Sequence, residues 1–155
     1  AKVAGTEAGV TEPQATFSTC FAAPFLPLHP ARYAELLAQK LRQHGSQVWL
    51  VNTGWTGGPY GVGSRIRLGY TRAMVRAALS GGLVPVRFAP DPIFGVLVPE
   101  SCPGVPPELL RPRASWQNPA DYEARARQLA TLFQNNFQQY AAQAPGAVRQ
   151  AGPRV

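Results

Sequence analysis

The chain has 155 residues, an apolar share of 45% and a net charge of +7 carried almost entirely by arginine. That length suits one ordinary domain able to bury roughly 70% of its unfolded surface, and the apolar share is too high for a disordered chain. No apolar run approaches the ~20 residues that span a bilayer, and no basic-then-apolar leader is visible, so the expectation is a cytoplasmic chain without a membrane partner. Cys20 and Cys102 lie too far apart for a C-x-x-C pair and are expected as buried free thiols. The arginines are scattered and the aromatics sit in apolar runs, so nucleic acid is not the expected partner. The planar guanidinium suits a small anionic ligand better. The chain opens at Ala1 and its only methionine is Met74, which reads as a processed product or a piece of something longer.

Residues 1–19 are small, polar and threonine-rich, and read as a mobile loop running into an extended piece near Phe17. Residues 21–28 are apolar but broken by Pro24 and Pro27, which predicts an irregular buried connection. Pro30 suits a first helical position. Tyr33, Leu36, Leu37 and Leu41 then recur at helical spacing up to Gly45. His29 is expected at the start of this helix and His44 at its end, where a cation is favoured. The run Val48-Trp49-Leu50-Val51 predicts a buried strand, making helix and strand the second half of a βαβ unit.

A glycine-dense loop follows, with Gly54, Gly57, Gly58, Gly61 and Gly63 around Pro59. A strand that empties into such a loop ahead of a helix is how open α/β sheets build ligand sites. Arg65–Leu68 suits a short extended piece, and a helix is expected from Thr71 to Leu79, ended by Gly81-Gly82. Segments 84–88 and 93–98 are strand candidates that can form a hairpin across Pro90, Asp91 and Pro92. Residues 99–118 hold five prolines and predict loop. Asn118 and Pro119 open the longest helix, to about Gln143, with Tyr122, Ala126, Leu129, Phe133, Phe137 and Tyr140 as its apolar stripe.

Gly58 and Gly63 match the opening spacing of a phosphate loop, but Ser64 stands where its lysine must be. Ile66 stands where G-x-G-x-x-G needs its third glycine. No histidine has metal-ligand neighbours, no serine lies in G-x-S-x-G and no cysteine has a base beside it. Glu35, Asp121 and Glu123 fit solvated helix faces, whereas Glu7 and Glu12 lie in the mobile opening. Arg65, Ile66 and Thr71 remain. A guanidinium beside a glycine loop can face a phosphate or stack on a purine, Ile66 can wall the base, and Thr71 can offer a hydroxyl. The alternative is that Thr71 caps a helix and Arg65 is solvated.

The segments AGTEAGVTEPQATFSTCFAAPFLPLHPARYAELL, WLVNTGWTGGPYGVGSRIRLGYTRAM and VPESCPGVPPELLRPRASW, in that order, closely resemble the C-terminal part of ATP-dependent phosphoenolpyruvate carboxykinases. The resemblance implies a gluconeogenic lyase that turns oxaloacetate and ATP into phosphoenolpyruvate, ADP and carbon dioxide, with Mn2+ and Mg2+ held mainly by residues outside this segment. It implies an α/β fold: an incomplete, mixed-sheet, mononucleotide-binding C-terminal domain of a two-domain enzyme. Residues 1–19 would be the mobile lid and the strand leading in, and 20–155 part of the nucleotide-binding domain. Thr6 and Glu7 would lock the lid, and Arg65, Ile66 and Thr71 would contact the nucleotide. Catalytic and metal-binding residues are expected elsewhere, so the segment alone should be inactive, with the remainder of the same enzyme as its partner. Ala8 and Ala22 depart from residues usual in the family. The alternative is a stand-alone nucleotide-binding or interaction module without catalysis.

Overall fold

The computed structural model describes residues 8–13, 16–17 and 23–155. These fall into two compact units, one from residues within 1–48 and 136–150, the other from 49–135 and 151–155. Among the described residues, secondary structure is helical except for two separate antiparallel strand pairs. The chain is therefore a mixture of helix and small sheets, and the mixed sheet expected from the resemblance is not present among these residues.

In the first unit, helix α1 spans Pro30–His44. Proline costs nothing at the first helical position because its missing N–H would have no helical partner. His29 caps the helix as expected, its Nδ1 accepting from the N–H of Ala31 at 3.2 Å. Gly45 closes the helix at φ 61, a left-handed geometry that favours glycine. Tyr33 and Leu41 are half-buried while Leu36 and Leu37 are exposed, so the predicted stripe is only partly covered. The connection before α1 is also exposed: a 3-10 turn spans Ala23–Phe25, and both Phe25 and Leu28 face solvent. Its apolar composition had predicted burial. The prolines keep it irregular, and of residues 24–28 only Leu26 is half-buried.

Among the described residues, the buried ones lie in the second unit. Helix α2, Leu68–Leu79, packs Ala77 with Leu83, Cys102 and Val105, and Trp49, Met74 and Phe88 close over them. Strands β1, Trp55–Thr56, and β2, Ser64–Arg65, form one pair. Strands β3, Phe88–Pro90, and β4, Leu97–Pro99, form the hairpin expected across the prolines, with shorter arms. Residues 84–86 turn instead of extending, with Val84 N–H donating to Gly81 and Val86 N–H to Leu83. Ile93, expected in a strand, is buried in the hairpin tip. Asp91 Oδ1 shapes that tip by accepting from Ile93 N–H at 2.9 Å and Phe94 N–H at 2.7 Å.

Short helix α3, Pro112–Ser115, precedes the long helix α4, Pro119–Ala141. Within the second unit α4 buries Ala126 and Ala130 against Ile93, with Phe94 and Tyr122 alongside. The predicted stripe is covered in part, with Ala126 buried and Tyr122, Phe137 and Tyr140 half-buried. Leu129 and Phe133 are exposed, and the small Ala130, absent from the stripe, is fully buried because it admits the closest approach. The tail after helix α5, Gly146–Gln150, returns to this unit. There Arg154 N–H donates to the Ile93 carbonyl at 2.7 Å, and Gln134 Nε2 to that of Pro153 at 2.8 Å.

The largest departure concerns residues 48–51, predicted as a buried strand. They join no sheet, and only Trp49 packs inward, while Leu50 is 82% exposed.

Candidate functional site

The glycine loop is a tight hairpin tip. Trp55 pairs with Arg65 and Thr56 with Ser64. Pro59 O accepts from Val62 N–H at 3.1 Å and from Gly63 N–H at 2.8 Å. Two glycines are required by the path. Gly57 sits at φ 77, and a Cβ on Gly63 would collide with the carbonyl oxygens of Gly58 and Thr56.

A distant residue fastens this loop. Ser115 Oγ accepts from Gly57 N–H at 3.3 Å, lies 3.4 Å from Thr56 Oγ1, and donates to the Pro112 carbonyl at 2.7 Å. The end of α3 therefore holds the first turn of the loop from outside.

Arg65 leaves β2 exposed, with its guanidinium carbon 5.9 Å from the centre of the Trp55 ring. Trp55 in turn meets Tyr60 edge-on, with ring centres 5.3 Å apart. The cation lies over the indole face, where the ring quadrupole attracts it. A long, otherwise mobile side chain is thereby restrained beside the loop while remaining open to solvent. Ile66 follows, half-buried, its N–H donating to the Gly54 carbonyl at 3.0 Å.

Thr71 stands apart from this group. Expected to begin a helix, it is the fourth residue of α2, whose N-cap is Arg67, and its own N–H donates to the Arg67 carbonyl. It is neither a cap nor a helix-start hydroxyl. It lines an open depression of about 570 Å³ along α2 with Arg72, Val75, Arg76, Leu79 and Ser80. Arg65 and Ile66 are not among that lining. The structure thus brings Arg65 and Ile66 to the glycine loop and sets Thr71 on the helix that follows. Thr6 and Glu7 lie outside the described residues.

Among the described residues no group of three or more His, Cys, Asp or Glu side chains is disposed to hold a metal ion, so these residues do not fit the implied cations. Burial pushes the Cys102 thiol up, away from the reactive thiolate. Trp55 and Ser115 were missed in the sequence. The first was findable, since a tryptophan and an arginine flanking a glycine-proline turn are natural cross-strand partners. The second was not, because its role depends on a contact 58 residues along the chain.

A family profile described as phosphoenolpyruvate carboxykinase matches residues 1–108. Over 154 residues the chain is 60% identical to a Moorella thermoacetica protein named phosphoenolpyruvate carboxykinase (ATP) 2, covering 99% of this chain and 29% of that protein. It is 59% identical over 155 residues to a Thermus thermophilus phosphoenolpyruvate carboxykinase (ATP), again covering 29% of the relative. A Shouchella clausii protein of the same name is 59% identical over 154 residues, at 99% and 29% coverage. The chain thus spans under a third of the length of these relatives.

Proposed function

The chain belongs to the phosphoenolpyruvate carboxykinase family, and from that premise we propose that it forms the C-terminal part of an ATP-dependent, cytoplasmic, gluconeogenic carboxy-lyase, where it supplies the adenine-side wall of the nucleotide pocket and a lid. The whole enzyme would convert oxaloacetate and ATP to phosphoenolpyruvate, ADP and carbon dioxide. Residues 20–155 would belong to a mononucleotide-binding domain, and 1–19 to the lid.

The observation that carries this reading is Arg65, exposed beside the glycine loop and restrained over Trp55. Its guanidinium carbon lies over the indole, and the side chain stays open to solvent, where a purine could meet it. A restrained arginine loses less freedom on binding than a solvated one. Ile66, half-buried at the loop's exit, offers apolar contact to the base, and Thr71 on α2 offers a further polar contact. Loss of carbon dioxide from oxaloacetate leaves an enolate whose oxygen takes the γ-phosphoryl group. Protonation of that enolate would give pyruvate, so water must be excluded. The lid around Thr6 and Glu7 would serve that need. The residues that hold the phosphates and the divalent cations would lie in the part of the enzyme that this chain does not span.

Arg65→Ala in the full-length enzyme should raise the KM for ATP roughly tenfold, as loss of a cation–π contact worth ~1–2 kcal/mol requires, and leave that for oxaloacetate within about twofold. Equal rises in both would overturn the nucleotide role.

A further inference from the structure

Hairpin β1–β2 is too short to hold its own shape. Two residue pairs join its arms, Trp55 with Arg65 and Thr56 with Ser64, and an isolated two-stranded hairpin is marginal in water at best. Support comes from Ser115, the last residue of α3. Its hydroxyl commits its one hydrogen to the Pro112 carbonyl at 2.7 Å, which leaves the oxygen lone pairs to the hairpin. They accept from Gly57 N–H at 3.3 Å and, at a longer 3.4 Å, from Thr56 Oγ1. The approach is close, since a Cβ on Gly57 would lie 3.4 Å from the Ser115 carbonyl oxygen. Helix α3 is in turn held on α4. Arg113 Nε donates to Glu123 Oε1 at 2.7 Å, and Trp116 meets Tyr122 edge-on with ring centres 5.8 Å apart. Tyr122 itself packs beside the buried Ile93, Ala126 and Ala130. Contacts therefore run without a break from that cluster to Thr56, the neighbour of the Trp55 over which Arg65 lies.

We propose that Ser115 is a positioning residue for nucleotide binding: by holding Thr56 and Gly57 it fixes Trp55, and through Trp55 the place of Arg65. The inference rests on the nucleotide reading of Arg65 and extends it to a residue that touches no substrate. Without the hydroxyl, Gly57 N–H would lose its partner and the hairpin would be held by its two pairs alone. The arrangement of Arg65 over Trp55 would then be one of several, and part of the binding free energy of ATP would go into selecting it. The reacting phosphates would be held elsewhere in the enzyme, so the effect belongs to ATP binding and not to turnover. Threonine carries the same hydroxyl and should replace serine, whereas alanine cannot.

The test uses the full-length enzyme. Ser115→Ala should raise the KM for ATP about three- to tenfold, the size of one or two lost hydrogen bonds, and leave kcat and the KM for oxaloacetate within about twofold. Ser115→Thr should restore the parent KM. Unchanged ATP kinetics in Ser115→Ala, even with a lowered Tm, would reduce Ser115 to a structural role and overturn the proposal. An equal loss in Ser115→Thr would overturn it too. Ser115→Ala added to Arg65→Ala should raise the KM no further than Arg65→Ala alone, because Ser115 acts through Arg65. A rise equal to the product of the two single effects would refute that route. Amide hydrogen exchange without nucleotide supplies a readout besides activity. The Gly57 amide should exchange at least about tenfold faster in Ser115→Ala, and an unchanged rate would overturn the proposal whatever the kinetics. If Arg65→Ala leaves ATP kinetics intact, the nucleotide reading falls, while faster Gly57 exchange would still show the hairpin held by Ser115, so the two failures are told apart.

Discussion

Gly63 shows how one hydrogen can decide a loop. Its backbone dihedrals are ordinary, yet a methyl group there would press on two carbonyl oxygens, those of Gly58 and Thr56. Gly69, on the exposed side of α2, meets nothing within 4 Å. Gly63→Ala should therefore destabilise the chain by roughly 1–3 kcal/mol, while Gly69→Ala should stabilise it by up to about 1 kcal/mol, because alanine is the better helix former. Thermal unfolding of the two variants side by side checks the contrast, and equal shifts would refute the steric account. At this scale the sequence was informative about type and silent about pairing. Arg65 was legible as a planar cation beside glycines. Its position over Trp55 required the hairpin register, and Thr71 was misplaced because α2 begins at Leu68 without a side-chain cap to announce it.

Helices α1, α2 and α4 were legible because their apolar residues recur with helical spacing and proline or glycine marks their ends. The strands were harder to read: two or three residues carry no period, and their pairing comes from the turns. Between elements, Tyr122 of α4 packs against the hairpin tip that Asp91 shapes. Burial first, and then the Asp91 carboxylate, hold the Tyr122 hydroxyl above its ordinary ionisation range. The protonated phenol is therefore the form that the fold favours. The contribution is fully present below the unfolded tyrosine value, about 10, and is lost as pH rises through the higher folded one. Stability measured by urea unfolding should fall above about pH 10, and Tyr122→Phe should flatten that fall. An identical alkaline slope in the variant would remove this account.

For the whole molecule, composition promised a larger interior than the described residues build. No large side chain among them is fully buried, while Leu50, Leu79 and Val84 are largely exposed. Fully burying an aliphatic side chain of this kind contributes ~1.5–3 kcal/mol, so such surface is the usual mark of an interaction face. The chain alone should accordingly enhance the fluorescence of an apolar dye such as ANS several-fold more than a full-length protein in which it replaces the matching region of the Moorella thermoacetica relative. Equal enhancement would mean that the added length leaves this surface bare. Residues 48–51 join no sheet for the same reason: a strand inferred from its apolar run needs neighbours, and none pair with it among the described residues.

The family profile stops at residue 108, yet the hydroxyl that clasps the start of the glycine hairpin belongs to Ser115. The stretch beyond the profile is thus mechanically coupled to the part within it. Deleting it would keep every glycine of the hairpin but unlatch the turn that they make.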